Sequence, residues 1–568
     1  MILALLILVP LLFALGVVAA PAHRARFIAF LGMLVTFVLA CYALFVFNWD
    51  FAANRTQLGL SIEWFPKLGL GLSLGVDSVA LWLIVLAALL GPLCVLGSWT
   101  SITTQQRTFF AWLLVLQAAL TGVFAARDLM LFYICFEFTL IPMFVLIRVF
   151  GSTNRKAASV KFFMYTFTGS VIALAGLLYV VWFAARSGFG WTLDIEQLSH
   201  IAARMPAGEQ AFVLLALLAG FAVKVPLFPV HTWLPLAHTE APTAGSVILA
   251  GVLLKLGTYA MYRFVLPFAP VAVMEYAPAI AVLCIFGIIY AGLICWVQTD
   301  VKKLVAYSSV SHLGFCVLGL FALNVTGMTG SVLYMINHGL STGALFFLIG
   351  FMYERYHTRS MREVGGLASK MPVWATFMVF FTMASVGLPG LNGFVSEFLC
   401  MLGTFQADAA WAGVEGGTPG ATWGVLGPWF AVFAATGVIV AAMYLLYMVG
   451  RMCFGPLVEP AGHDDDHHDE SDKKKLPADL TFREIGVLLP LAGLCLYLGL
   501  QPTPLMRSIE APIKMTVRLV QSANGISEIR PPMSPRGTGD PSHEDGAAQH
   551  DGRGAEPLGT DTETEVVR

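Results

Sequence analysis

The sequence has 568 residues, of which 58% are hydrophobic and only 12% are charged, whereas soluble domains average about a quarter charged residues. This composition excludes an ordinary soluble fold. Apolar stretches long enough to cross a bilayer, about 20 residues each, recur almost continuously from Met1 to about Gln501 and indicate one polytopic membrane domain. The formal net charge of -2 offers no basic surface for nucleic acid, so the lipid bilayer is the first partner that the sequence predicts.

The apolar windows predict an all-α membrane protein with fourteen helices. In the first half they lie near residues 2–20, 27–47, 76–97, 108–126, 128–150, 161–185 and 211–239, the last of them interrupted. In the second half they lie near residues 242–265, 271–298, 301–323, 328–353, 372–405 (interrupted), 423–450 and 484–500. The first helix has no basic segment before it and no small-residue cleavage site, so we expect it to be retained rather than removed as a signal peptide.

Two polar regions flank the last predicted helix, which lies within residues 483–501. Residues 456–482 form an acidic and basic loop, and its histidine- and aspartate-rich run over 463–470 is interpreted as a solvated linker rather than a metal site. Residues 502–568 are predicted to be a polar, disordered tail because their composition cannot bury enough apolar surface.

The distribution of Lys and Arg predicts the orientation of the helices. Eighteen of these residues fall in one set of alternate loops and six in the other, and the richer side is expected to be cytoplasmic. Both termini are therefore predicted to be periplasmic. Only two lysines, Lys224 and Lys255, remain at membrane depth.

Four ionisable residues lie within apolar helices: Glu137, Lys224, Lys255 and Glu397. Each costs about 2.5 to 3.5 kcal/mol at the helix centre on insertion scales, which makes it a candidate functional residue. Burial disfavours the charged form of a lysine and a nearby carboxylate favours it, so movement of a carboxylate loads or unloads a proton. This pattern is typical of proton translocation. The alternative is a fixed ion pair between Glu137 and Lys224 that only packs two helices.

Helix-breaking residues accompany two of these groups. Pro226 and Pro229 follow Lys224, and Pro389 and Gly390 precede Glu397. Interrupted helices at membrane depth are typical of transport sites, although a packing kink is the simpler alternative.

Four histidines lie among apolar residues or beside hydroxyl groups and are candidate proton relays, although each taken singly is equally well a core residue. The nine cysteines include no Cys-x-x-Cys pair, no histidine pair has convincing metal spacing, and no nucleotide-binding motif is present. The sequence therefore predicts no cofactor and no metal on this chain. The four histidines are His231, His238, His312 and His338.

These motifs resemble those of the antiporter-like membrane subunits of proton-pumping NADH:quinone oxidoreductase, respiratory complex I. The resemblance covers about residues 70–455. It rests on the segment from Lys224 to Pro242, on its continuation over 253–257, on Asn337-His-Gly, and on Gly393-Phe-Val-Ser-Glu-Phe.

The resemblance implies two inverted five-helix repeats, residues 108–265 (helices four to eight) and 266–455 (helices nine to thirteen), after three N-terminal helices in residues 1–107. It implies that Glu137 and Lys224 form the input pair, Lys255 the central relay and Glu397 the terminal site. The sister chains L and N, which usually carry lysine at that last position, are the implied neighbours. NADH, flavin, iron–sulfur clusters and quinone are implied on partner subunits.

The leading hypothesis is therefore a proton-translocating subunit of an NADH:quinone oxidoreductase, an enzyme complex in which this chain carries no redox centre. A subunit of a multisubunit cation/proton antiporter or of a membrane-bound hydrogenase is the alternative, because both share these lysine motifs. A purely structural membrane scaffold would leave the four buried charges without a role.

Overall fold

The structure, a computed structural model, describes residues 1–49, 56–65, 70–411, 420–460 and 478–526. The helices are numbered here in chain order. The first half contains α1 (Ile2–Ala19), α2 (Ala22–Val46), α3 (Ser78–Gly97), α4 (Gln106–Ala125), α5 (Leu129–Phe150), α6 (Arg155–Arg186), α7 (Ile195–Ala202), α8 (Ala207–Lys224) and α9 (Leu234–Glu240). The second half contains α10 (Thr243–Phe268), α11 (Pro270–Trp296), α12 (Val301–Phe321), α13 (Val325–Tyr356), α14 (Pro372–Val386), α15 (Asn392–Gln406), α16 (Pro428–Cys453), α17 (Phe482–Leu500) and α18 (Thr503–Ala523).

The predicted helical membrane fold is confirmed. Thirteen helices within the described ranges are long and apolar enough to cross a membrane. The interrupted helix predicted over 372–405 is present as the two shorter helices α14 and α15.

Two elements differ from the prediction. A β-hairpin, β1 (Gln57–Phe65) and β2 (Leu70–Val76), pairs Leu60 with Leu74 and Ile62 with Leu72 between α2 and α3. The prediction of a disordered tail from residue 502 is wrong for its first part, because α18 occupies Thr503–Ala523. The 461–477 part of the predicted loop and residues 527–568 of the predicted tail lie outside the described residues.

The amphipathic pattern of α18 explains why it was missed. Its buried apolar residues are spaced three or four positions apart and the helix packs against α3, α10, α11 and α13, while all four of its charged residues lie outside this stripe. A search for continuous apolar runs cannot find such a helix. The buried stripe consists of Leu505, Ile509, Ile513, Val517 and Val520.

The core of the molecule is formed by three helices, α10, α12 and α13, of which α10 and α13 are wholly buried across their membrane spans and α12 nearly so. Other helices surround them, and α1 and α2 are mostly exposed. Any ionisable side chain on the three central helices is therefore shielded from lipid by protein.

The break between α8 and α9 follows from its prolines. Pro226 has no backbone N–H to donate to a carbonyl of the preceding turn, and α8 ends at Lys224. The indole N–H of Trp233 donates to the Val223 carbonyl at 2.9 Å. A backbone acceptor exposed by the break is thereby satisfied at membrane depth.

The break between α14 and α15 depends on glycine. Gly387 and Gly390 have φ of +85° and +94°, which side chains rarely adopt, and a Cβ on Gly393 would lie 2.0 Å from the Ala384 carbonyl oxygen. The Asn337 amide on α13 donates to the Asn392 carbonyl at 2.7 Å, and the Asn392 amide donates back to the Asn337 carbonyl at 3.2 Å. These reciprocal side-chain hydrogen bonds hold the start of α15 against α13.

Candidate functional site

Lys224 is the last residue of α8 and is only 3% exposed. Its ammonium lies 4.5 Å from the centre of the Phe136 ring and has no hydrogen-bond partner among the described residues. Glu137, on α5, interacts with it electrostatically, but Oε1 of Glu137 is also without a hydrogen-bond partner there. The two groups therefore do not form the fixed ion pair that was the alternative to a functional role, and the lysine is held mainly by a cation–π contact.

The two histidines that follow Lys224 are buried with unpaired ring nitrogens. The His231 ring packs near Tyr290, with centroids 5.9 Å apart, and its Nδ1 has no partner in the described part of the chain. His238 on α9 stacks on Phe346 at 4.7 Å, and neither of its nitrogens has a partner there. A neutral imidazole carries one donor and one acceptor, so each ring leaves a polar atom free to take a proton or a water molecule.

Lys255 is fully buried on α10 and lies in direct contact with His338 on α13. Its Nζ is 2.7 Å from Nδ1 of His338 and also donates to the Ala250 carbonyl. Two π-helical segments of α10, Leu249–Leu253 and Met261–Val265, lie on either side of this lysine. Such segments are frequent at functional sites because they open the regular helical hydrogen bonding.

Gly257 allows the helix that carries Lys255 to pack closely against the end of the helix that carries Lys224. A Cβ on Gly257, two residues after Lys255, would lie 2.9 Å from the backbone nitrogen of Val225 and 3.1 Å from Cβ of Lys224. Only glycine permits so close an approach of α10 to the end of α8. No hydrogen bond joins the two lysine side chains within the described residues, so any transfer between them crosses a gap.

Glu397 forms a compact polar cluster with His312 and a tyrosine. Oε1 of Glu397 lies 3.0 Å from Nδ1 of His312 and accepts a hydrogen bond from the Tyr334 hydroxyl. The same hydroxyl lies 2.7 Å from Nδ1 of His312, while the Tyr444 hydroxyl lies 3.5 Å from Nε2 of that ring. The cluster therefore joins α12, α13, α15 and α16 through side-chain contacts.

The histidine rings connect this cluster to the central lysine. The rings of His312 and His338 have centroids 6.0 Å apart, and His338 touches Lys255. Nε2 of His338 has no partner among the described residues. A line of buried ionisable groups thus extends from Lys255 through His338 and His312 to Glu397.

Three residues of this region were not identified from the sequence. Tyr334 and Tyr444 were not singled out, because a tyrosine in an apolar helix carries no signal of its partner. Lys302 was counted among the basic residues of the loops and helix ends, and its burial was not predicted. It lies in the first turn of α12, is 7% exposed, and its Nζ donates to the Ala241 carbonyl at 2.5 Å. Its position at a predicted helix boundary made the assignment ambiguous.

Comparison with known proteins identifies the class to which this fold and site belong. Residues 126–418 match the family described as NADH:quinone oxidoreductase/Mrp antiporter, transmembrane. The chain therefore belongs to this family of antiporter-like membrane subunits.

Among the described residues, no group of three or more His, Cys, Asp or Glu side chains is arranged to hold a metal ion.

Within the family, the chain is 38% identical over 492 residues to NADH-quinone oxidoreductase subunit M of Rhodobacter capsulatus, which corresponds to 85% of this chain and 88% of the relative. It also superimposes on a chain of respiratory complex I from Thermus thermophilus with a TM-score of 0.78 and 27% identity, covering 92% of this chain and 100% of that one. A chain of the Mrp complex from a Dietzia species has a TM-score of 0.74 at 21% identity, covering 91% and 98%, and is similar in fold alone.

Proposed function

We propose that this chain is the proton-translocating membrane subunit M of an NADH:quinone oxidoreductase. The observation that carries the proposal is the buried line of contacts from Lys255 through His338 and His312 to Glu397. Ionisable side chains inside a membrane protein are expensive to insert and mark proton or ion pathways. The similarity to subunit M at 38% identity supports the same function, whereas the Mrp-type chain, at 21%, supports only the fold.

The proposed route begins at Glu137 and Lys224, continues to Lys255, and ends at Glu397. Lys224 and Lys255 lie on two helices that are in contact. Two positive charges on neighbouring helices in a low-dielectric interior repel each other strongly. Lys224 takes up a proton while Glu137 is close. When Glu137 moves away, the charge on Lys224 is no longer compensated, and it drives the proton on Lys255 toward His338. His231 and His238, with their unpaired nitrogens, lie where they relay protons into this segment.

The same line allows transfer in the second half of the molecule. His338 takes the proton from Lys255, His312 receives it, and Glu397 is the last acceptor. The breaks at Pro226 and Pro229 and at Pro389 and Gly390 lie next to Lys224 and Glu397, so a rotation at either break changes the distance between an end group and the centre.

The energy for transport comes from partner subunits. Each charge moved against the membrane potential costs about 2.3 kcal/mol per 100 mV, and this chain has no redox chemistry of its own in the proposal. NADH, flavin, iron–sulfur clusters and quinone belong to other subunits, and the neighbouring membrane chains are the sister chains L and N. The location is the bacterial inner membrane, with both termini in the periplasm as the loop charges predict.

The test uses the assembled complex with Lys224→Ala or Glu397→Ala in sealed vesicles. Both substitutions remove a station of the route, so NADH-driven pumping is lost, while NADH oxidation with a soluble electron acceptor persists and reports that the complex is assembled. Lys514→Ala, which removes a half-exposed lysine on α18, serves as the control and leaves pumping unchanged. Pumping at the wild-type rate in both relay variants would refute the route.

The remaining alternative is a cation/proton antiporter that runs on ion gradients. Isolation of the chain from its native membrane discriminates between the two. The proposal requires co-purification with NADH-oxidising subunits, and purification with a small set of membrane chains that exchange sodium for protons without NADH would favour the antiporter.

A further inference from the structure

The hydroxyl group of Tyr334 lies between the last two stations of the proposed route. We propose that Tyr334 is a catalytic residue that relays the proton from His312 to Glu397. This inference rests on the proposed function and adds to it a residue that is absent from the Lys–His–Glu line.

The geometry places one hydroxyl against both reacting atoms. Tyr334 OH lies 2.7 Å from Nδ1 of His312 and donates a hydrogen bond to Oε1 of Glu397. The direct separation between these two atoms is longer, at 3.0 Å. All three side chains are at most 4% exposed, so bulk water does not compete for the contacts. The tyrosine therefore offers a second hydrogen-bonded path between His312 and Glu397 beside the direct one.

The transfer balances without charging the tyrosine. Protonated His312 gives its Nδ1 proton to the Tyr334 oxygen, and in the same step the Tyr334 hydroxyl proton passes to the carboxylate of Glu397. The N–H bond of the imidazolium breaks, the O–H bond of the carboxylic acid forms, and the tyrosine begins and ends neutral. The concerted step avoids a phenolate intermediate, which would be costly because an unperturbed tyrosine ionises only near pH 10.

The single proton of the Tyr334 hydroxyl also couples the protonation states of His312 and Glu397. While Glu397 is ionised, the hydroxyl donates to it and accepts from Nδ1–H of His312. After the transfer, the new hydroxyl proton of Tyr334 already points at the free lone pair of Nδ1, and the hydroxyl must rotate back toward Glu397 once that carboxyl group has lost its proton. The arrangement therefore holds one excess proton between His312 and Glu397 and must reset by rotation before the next proton arrives.

Tyr444 differs from Tyr334 in position. Its hydroxyl is 3.5 Å from Nε2 of His312, on the side of the ring away from the proposed transfer, and makes no hydrogen bond to Glu397 in the described part of the chain. It contacts the donor only. The two-sided contact with donor and acceptor is what assigns the relay to Tyr334.

The experiment compares Tyr334→Phe with Tyr259→Phe in the assembled complex. Tyr259 is a matched control because it is a buried tyrosine on α10 whose hydroxyl donates to the Phe124 backbone carbonyl at 3.3 Å, outside the route. A hydrogen bond to a charged group is lost in Tyr334→Phe but the direct 3.0 Å path remains, so pumping falls roughly 10- to 100-fold rather than to zero. Tyr259→Phe pumps at the wild-type rate.

Two further measurements separate a relay from a packing role. Replacement of Tyr334 by 3-fluorotyrosine restores the hydroxyl and therefore restores pumping, which loss of shape would not explain. Because this phenol is more acidic, proton transfer through it to Glu397 proceeds at a different rate, so pumping returns at a rate that differs from that of the wild type. The groups that face this hydroxyl are His312, Glu397, His338, Tyr444 and Cys400, and none of them is altered by the replacement.

The outcomes distinguish this inference from the proposed function. Wild-type pumping by Tyr334→Phe, together with loss of pumping by Glu397→Ala, overturns the tyrosine relay and leaves the route intact. Wild-type pumping by both variants overturns the route itself. If Tyr334→Phe does not assemble, the fluorotyrosine complex decides alone, and a pumping rate equal to that of the wild type overturns the relay.

Discussion

Gly387 permits the position of the terminal carboxylate, and Gly387→Ala tests that dependence. This glycine ends α14 with a φ of +85°, and a Cβ built on it would lie 3.0 Å from Oε2 of Glu397. Alanine in this left-handed conformation costs about 1 to 2 kcal/mol, and the new methyl group forces the carboxylate to shift by a few tenths of an ångström. Since a misplacement of about 1 Å can cost about 100-fold in rate, we expect roughly tenfold slower pumping.

Gly455→Ala is the matched control for the backbone effect. Gly455 has a φ of +92°, and a Cβ there would meet nothing within 4 Å. Both variants carry a similar backbone strain, so the amount of assembled complex falls similarly in each. The assay is NADH-driven acidification in sealed vesicles, normalised to NADH oxidation with a soluble acceptor. Equal pumping by the two variants would show that displacement of Glu397 does not matter and would refute the reasoning.

Two further predictions concern stability and assembly. Glu484→Gln removes the partner of Arg355, whose guanidinium is 2.8 Å from the fully buried carboxylate, so the thermal stability of the solubilised complex falls by the equivalent of about 3 to 5 kcal/mol. Glu510→Gln breaks an exposed ion pair and changes stability by at most about 1 kcal/mol; an equal loss in both would contradict the burial argument. Gly220→Val should prevent close packing of α6 and α8, because a Cβ there would lie 2.4 Å from a backbone oxygen, and immunoblots of the membrane fraction should contain little chain. Gly208→Val has open space and should accumulate normally.

Much of the fold was predictable because the bilayer dictates it. Continuous apolar runs locate the membrane helices, and the prolines after Lys224 locate the end of α8. A search for continuous apolar runs misses α18, whose apolar residues form a stripe along one face. It also misses the hairpin, whose two strands are too short to appear as membrane-spanning runs. Sequence patterns therefore find the elements whose environment is apolar on all sides and overlook those with one polar face.

The candidate site was predictable only where a residue carries a charge that is costly to bury in a membrane helix. Lys224, Lys255 and Glu397 stand out because a charge in an apolar helix needs an explanation. Tyr334 does not stand out, since tyrosine packs readily in a membrane protein, and its partner Glu397 lies 63 residues away along the chain. Lys302 is hidden for a different reason, because a lysine at a helix boundary is either solvated or buried, and only packing decides which.

The most direct test of the account is proton pumping by the assembled complex with Lys255→Met. Methionine keeps the length and apolar stem of this fully buried side chain but cannot carry a proton to His338, which lies 2.7 Å from the ammonium. The account predicts loss of NADH-driven acidification, with normal NADH oxidation by a soluble acceptor and normal pumping in the control Lys303→Met. Wild-type acidification by Lys255→Met would contradict the claim that protons cross the membrane through the buried line of this chain.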